Sequence, residues 1–256
     1  LILSEIRRSY SVFYKKLDKS NIFFRAIEIY VYLNTNFYYM ATVTIENYLK
    51  ALFTLNQLNS SISLTDLSKE MKVSAPTVNN MIKKLQDKGW VEYQKYKPIK
   101  LTTEGCIQAA AIIRKHRLTE IFLVKIMGFG WEEVHDIAEQ IEHIKSDMYF
   151  DRMDELLGFP KTDPHGSPIP DKTGKIAEQH FRTLAQIKPN TKVSIVALKN
   201  SSFELLDYLN KKNIKLGDSI QIISIEPFDK SCSILLNETT KMTMTQQVCT
   251  CLMVVE

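Results

Sequence analysis

The chain has 256 residues, 45% of them hydrophobic and 24% charged, with a formal net charge of +4. That make-up is ordinary for a globular protein and leaves room for two or three small domains. Four cysteines, Cys106, Cys232, Cys249 and Cys251, have no zinc-finger spacing and call for no disulfides, which excludes a structural zinc ribbon or a disulfide framework and fits the reducing cytoplasm.

The charge is unevenly placed. Residues 1–39 hold six Lys/Arg against three Asp/Glu, and residues 40–103 hold nine Lys against five Asp/Glu, which leaves −3 for the rest. An anionic partner at one end and a cation at the other are implied. Residues 1–39 lack Met, Gly and Pro, and the apolar run IFFRAIEIYVYLNTNFYYM holds an Arg and a Glu. Neither a spanning helix nor a signal peptide is expected there. The first methionine is Met40, so 1–39 reads as an upstream or non-family extension.

From Thr44, an expected N-cap, TIENYLKALFTLNQLN has helical apolar spacing. LTDLSKEM is a second short helix. Ser74 caps a third, APTVNNMIKKLQDKG, with Pro76 in its first turn and Gly89 as its terminator. WVEYQKY and IKLTT flank Lys97-Pro98 as a hairpin wing. Three helices and a hairpin in this order make a winged helix-turn-helix. Thr103 is the expected cap of a long helix, EGCIQAAAIIRKHRLTEIFLVKIM, ended by Gly128. One or two helices follow, then the Pro/Gly-rich loop GFPKTDPHGSPIP. From Lys192 the period changes to two: KVSIVAL, DSIQIISIEP, CSILLN, TKMTMT and VCTCLMVVE are expected strands, with SFELLDYLNKKN as a helix. In VCTCLMVVE the alternation puts Cys249 and Cys251 on one strand face as apolar fillers. The expected fold is mainly α with a small β domain: a winged helix-turn-helix (40–103), a helical dimerisation domain (104–158), a linker (159–190) and a small Src-homology-3-like β-barrel (191–256).

The richest stretch is VHDIAEQIEHIKSD. Continued as one helix, it puts His135, Glu139, Glu142 and His143 on one face. Two imidazoles and two carboxylates on one stripe call for a bridging divalent metal, held by oxygen and nitrogen donors.

Together ENYLKALFTL, SAPTVNNMIKKLQDKGWVEYQKYKPIKLTTEG, IRKHRLTEIFL, EEVHDIAEQIEHIKSD and DPHGSPIP resemble the DtxR/MntR family of metal-dependent transcriptional repressors over about residues 41–256, with a FeoA-like carboxy-terminal domain. The resemblance implies a homodimer that binds Mn²⁺ or Fe²⁺, then a palindromic double-stranded DNA operator, and represses metal-uptake genes. It implies no membrane partner. It maps a primary metal site onto Asn47, Glu139, Glu142 and His143, and a second onto His116, Glu120 and His135, with a His116 that bridges both sites, as in manganese-type members, as the alternative. Glu at 139 resembles the manganese-type branch, whereas iron-type members carry Cys. Two positions depart from the pattern. Asn47 is a neutral donor where manganese-type members have Asp, and Lys50 stands where they offer Glu. A cation at 50 is incompatible with a coupled two-ion cluster, which favours two separate sites. His165 reads as structural or exposed, His180 has no ligand-spaced partner, and Glu204 is the nearest carboxylate the barrel offers.

A reader helix entering the major groove by its amino-terminal end presents Ser74, Pro76, Thr77, Asn79 and Asn80 to base edges. Lys83, Lys84 and Lys97, with Lys95 and Lys100, face phosphates. The helix has no Arg, so readout is modest per base and partly shape-driven. A metallohydrolase would need an open coordination position and a base, as in H-E-x-x-H, and that motif is absent. The other alternative is a metal-independent winged-helix regulator whose metal site has degenerated.

Overall fold

A computed structural model describes residues 42–57 and 61–256. The expectation for residues 1–39 lies outside the described residues. The chain divides into two compact units, Leu1–Tyr48 and Leu49–Glu256. Of the first, residues 42–48 are described and helical.

The first described helix, α1, covers residues 42–57. It is already helical at residue 42, so Thr44 lies inside it rather than capping it. α2 is Leu64–Glu70, and its cap is Ser63. Ser63 Oγ accepts from the Asp66 amide while Asp66 accepts from the Ser63 amide, a capping box that fixes the start of the helix. α3 is Ala75–Asp87. Ser74 is its N-cap by position, but its hydroxyl pairs with Thr77 Oγ1 at 2.9 Å instead of capping a backbone amide. Gly89 follows at φ +73, the left-handed terminator expected. Strands β1 (Val91–Glu92) and β2 (Lys100–Leu101) pair antiparallel as the wing. Leu52, Leu67, Val78, Ile82, Leu85 and Val91 are all buried, one residue per helical turn or alternate strand position.

The long helix α4, Thr103–Lys125, is capped by Thr102 rather than Thr103: Thr102 Oγ1 accepts from the Gly105 amide at 3.0 Å. The same hydroxyl donates to Gly89 O at 2.7 Å, and the Thr102 amide donates to Trp90 O. These bonds stitch the start of α4 to the end of α3. A Cβ at Gly105 would sit 1.9 Å from Trp90 O, so only glycine permits the approach. α5 is His135–Ile141 and α6 is Asp147–Leu156.

The remaining strands are β3 (Arg182–Thr183), β4 (Lys192–Leu198), β5 (Ser219–Ile225), β6 (Cys232–Leu236), β7 (Thr240–Met244) and β8 (Leu252–Val255). They form a six-stranded antiparallel sheet in the order β3-β8-β4-β5-β6-β7. Irregularities at Ile195/Ala197 and Ile222/Ser224 bend it. Alternate residues of β4 and β6 face a core that also takes Leu206 and Leu209 of α7 (Phe203–Lys211). One strand expectation fails. Cys249 and Cys251 lie on α8 (Gln246–Cys251), not on a strand, because Thr245 caps a helix there by accepting from the Val248 amide. Cys249 is still buried as an apolar filler.

Candidate metal centre and DNA-facing groove

The stripe that the sequence places on one helix is divided by the structure. α5 stops at Ile141, Glu142 is its C-cap, and His143 lies in the turn beyond. His135 and Glu139 remain one turn apart on the helix, whereas Glu142 and His143 are aimed by the turn. The spacing survives the helix end by one residue, so periodicity alone gave no sign of the stop.

From these pieces and from α4 comes a chain of buried charge. His116 Nδ1 lies 2.5 Å from Glu142 Oε2, and His116 Nε2 lies 3.1 Å from Glu120 Oε1. His135 Nδ1 is 3.5 Å from Glu120 Oε1, and His135 Nε2 is 3.6 Å from Glu139 Oε1. The rings of His116 and His135 meet edge to face with centroids 5.0 Å apart. The Glu142 side chain is wholly enclosed and that of Glu120 nearly so. Burial alone disfavours the charged forms, yet their mutual contacts prevail. Paired with Glu120 and Glu142, His116 is raised to about 9. Glu120, ringed by His116, His135 and His165, is held well below the usual carboxylate range.

Two residues join this network that the sequence did not assign to it. The loop after α6 folds back over α4 and brings Asp163 and His165 to Glu120, with His165 Nδ1 3.8 Å from Glu120 Oε2. Both are buried. Asp163 is raised first by burial and then by Glu120, while Arg117, with Nε 3.6 Å away, opposes that. Arg117 also donates to Pro168 O, and Arg114 donates to Pro170 O at 2.7 Å and to Asp154 at 2.5 Å, pinning the loop to α4. The loop touches the sheet as well. Leu198 N donates to His165 O, and His165 stacks on Trp131, whose indole N–H donates to Asn210 of α7 at 2.8 Å.

Among the described residues, three overlapping groups therefore bring donor atoms within 4.8 Å of one another: His116–Glu120–His135, His116–Glu139–Glu142 and Glu120–Asp163–His165. Carboxylate oxygens and imidazole nitrogens with no thiolate suit Mn²⁺ or Fe²⁺. The residues thus fit the ion that the sequence implies at the Glu120 end, where Arg117 pairs with Asp163. At the other end Lys50, on α1, donates to Glu139 and, at 2.7 Å, to Glu142. Burial would raise the Glu139 carboxyl, but Lys50 prevails and lowers it. His143 belongs to none of the three groups. It is buried, with Nε2 3.7 Å from Glu142 Oε1. Asn47 belongs to the first compact unit, where its side-chain oxygen is buried and accepts no hydrogen bond. Glu204, the nearest carboxylate of the barrel in sequence terms, is exposed in the first turn of α7 and outside all three groups. His180 is exposed beside Glu178.

On the winged helix, Pro76, Asn79 and Lys83 of α3 line one side of a groove, and Lys95, Tyr96 and Lys97 of the wing line the other. Ser74, Thr77, Asn80 and Lys84 are exposed beside it, and Thr77, Asn80 and Lys84 form a neighbouring stripe at helical spacing. Of the residues read as base- or phosphate-facing, Pro76, Asn79, Lys83, Lys95 and Lys97 line the groove, and Lys100 is exposed on β2.

Comparison with known proteins gives three family models. The model of the iron-dependent repressor amino-terminal DNA-binding domain matches residues 40–99. That of the iron-dependent repressor metal-binding and dimerisation domain matches 102–171. The FeoA domain matches 182–256. The diphtheria toxin repressor of Corynebacterium efficiens is 32% identical over 191 residues, 71% of this chain and 83% of that protein. The iron-dependent repressor IdeR of Mycobacterium leprae is 34% identical over 127 residues, which span 50% of this chain and 55% of that protein's length. Among solved structures, a manganese-dependent transcriptional repressor in complex with manganese aligns with a TM-score of 0.76 at 30% identity, covering 83% of this chain and 99% of that one. ScaR with bound Cd²⁺ aligns at 0.71 and 32%, with the same coverage. No helix among the described residues is long and apolar enough to cross a membrane.

Proposed function

Because the chain belongs to the family of iron-dependent repressors, we propose that it is a Mn²⁺- or Fe²⁺-activated repressor that binds double-stranded DNA as a homodimer in the cytoplasm, and not an enzyme. The observation that carries this is the convergence of α4, α5 and the 163–165 loop on Glu120, in a chain that also presents a lysine-lined reader groove. His116, Glu120 and His135, with Asp163 and His165, would hold the ion. Bound there, a divalent cation supplies positive charge shared among donors from three elements, which stiffens their arrangement. Glu139 and Glu142, of the second candidate set, are held by Lys50 instead, and His143 lies beside Glu142.

The chain's own residues do the rest. Lys83, Lys84 and Lys97 neutralise phosphates and set the register, while Pro76, Thr77, Asn79 and Asn80 meet base edges. Exposed Ile126 and Met127 past α4, with Met148, Tyr149 and Leu156 of α6, are apolar surface suited to a second copy. In the dimer two reader helices meet half-sites about one helical turn apart, or a multiple of it. Metal favours the arrangement in which both reach their half-sites, so excess metal represses uptake genes.

The test is selection of duplexes from a random DNA pool with Mn²⁺ present, followed by affinity measurement with Mn²⁺ and with chelator. Tight binding only with metal is expected; equal affinity in both refutes the reading. One observation favours a second reading. Lys50 between Glu139 and Glu142 is what a regulator needing no metal there would carry.

A further inference from the structure

The cluster formed by Glu139 and Glu142 already has a cation. Lys50 Nζ donates to one carboxylate oxygen of each, at 2.7 Å for Glu142, and the lysine side chain is only 19% exposed. Glu142 is wholly enclosed. A buried carboxylate must be paired or it costs several kcal/mol, and the pairing here comes from a residue 92 positions away in sequence. Little solvent reaches the contact with Glu142, so salt screens that pair poorly. An ammonium that touches two carboxylates also occupies the space a shared divalent ion would need. It cannot act as a ligand while it carries its proton, so an ion can enter only if the lysine leaves. The lysine is tethered, and its concentration at the cluster far exceeds that of any free metal. At the Glu120 end the nearest cation, Arg117, faces Asp163 at 3.6 Å, while the side chains against the Glu120 carboxylate itself are imidazoles, which ligate metals when neutral.

We propose that Lys50 is an internal replacement for the metal ion at the Glu139–Glu142 cluster, so that the chain binds its regulatory ion at the Glu120 centre and keeps the second cluster closed. This rests on the metal-regulated reading for the Glu120 centre, but not for the Lys50 cluster itself. It makes Lys50 the residue that sets how many ions each chain takes. It also means that the link between α1 and α5 is present before any metal arrives.

The experiment counts Mn²⁺ bound per chain by the loss of the free-ion electron paramagnetic resonance signal, with thermal unfolding measured in parallel. The unaltered full chain, Lys50→Met and Glu139→Gln are compared. One tight ion is expected for the unaltered chain, and a second, at least tenfold tighter than any weak site of the unaltered chain, for Lys50→Met. Glu139→Gln should keep the single ion, a result that does not depend on how well Lys50→Met folds. Two tight ions in the unaltered chain, no gain in a folded Lys50→Met, or loss of the ion in Glu139→Gln overturns the proposal. If the unaltered chain binds none but Lys50→Met binds one, the metal-regulated reading fails and the replacement stands. If neither binds any, both fail.

Discussion

The two ends of the buried charge network pair their carboxylates by different means. Glu120 is surrounded by His116, His135 and His165, and Glu142 is held by Lys50 and His116. Either arrangement satisfies a carboxylate without metal. Only the first converts to a coordination shell by losing protons in place, since a neutral imidazole is itself a donor. The second must be dismantled. Two carboxylate clusters that share His116 therefore differ in what they can exchange.

The largest effect that would break this contrast is on metal affinity. Glu120→Gln should lower Mn²⁺ affinity by more than the ~100-fold typical of losing an outer-sphere partner, while Glu139→Gln leaves it within a factor of three or so. Isothermal titration calorimetry measures both, and equal losses would erase the distinction. Next comes stability without metal. Glu142→Ala removes the buried carboxylate that Lys50 and His116 share, leaving each with a single carboxylate partner, and should cost about 3 kcal/mol in urea unfolding. Glu139→Ala, at a partly exposed position, should cost about a third of that or less. A third measure is thermal. Mn²⁺ at a hundred times its dissociation constant adds about 2.7 kcal/mol, several degrees of Tm. That rise should vanish in Glu120→Gln and persist in Glu139→Gln. The smallest effect is Trp131→Phe, which removes the hydrogen bond to Asn210 beside His165. A stability loss of about 1 kcal/mol is expected, with a few-fold weaker metal binding at the Glu120 end and none of the changes seen at Lys50.

The sequence made the winged helix legible because its signals are local. Pro76 in a first turn, Gly89 past a last one and alternate apolar positions need no tertiary knowledge. The start of α4 was misplaced by one residue because Thr102 and Thr103 can both cap, and only the contacts to Gly89 and Trp90 select Thr102. The seven metal-ligand candidates include both histidine–glutamate turns that the structure brings together, His116–Glu120 and His135–Glu139. What escaped was long-range. Asp163 and His165 sit in a Pro/Gly loop that reads as a turn, and they reach Glu120 only because Arg114 and Arg117 hold the loop carbonyls. The sequence marked Lys50 as a departure from the family, but its pairing with residues 89 and 92 positions away has no local signature. The stop of α5 at Ile141 and the helix at Cys249 were likewise decided outside the stretch in which a period can be read.

The loop's other wall is Gly166, held at φ +87 with Val196 O only 2.4 Å from where a Cβ would stand. No side chain fits between the His165 loop and β4. Gly166→Ala would act as a wedge there, prising the sheet from the helices while touching none of the donors. Hydrogen exchange at Leu198, whose amide is spent on His165 O, would register that parting first.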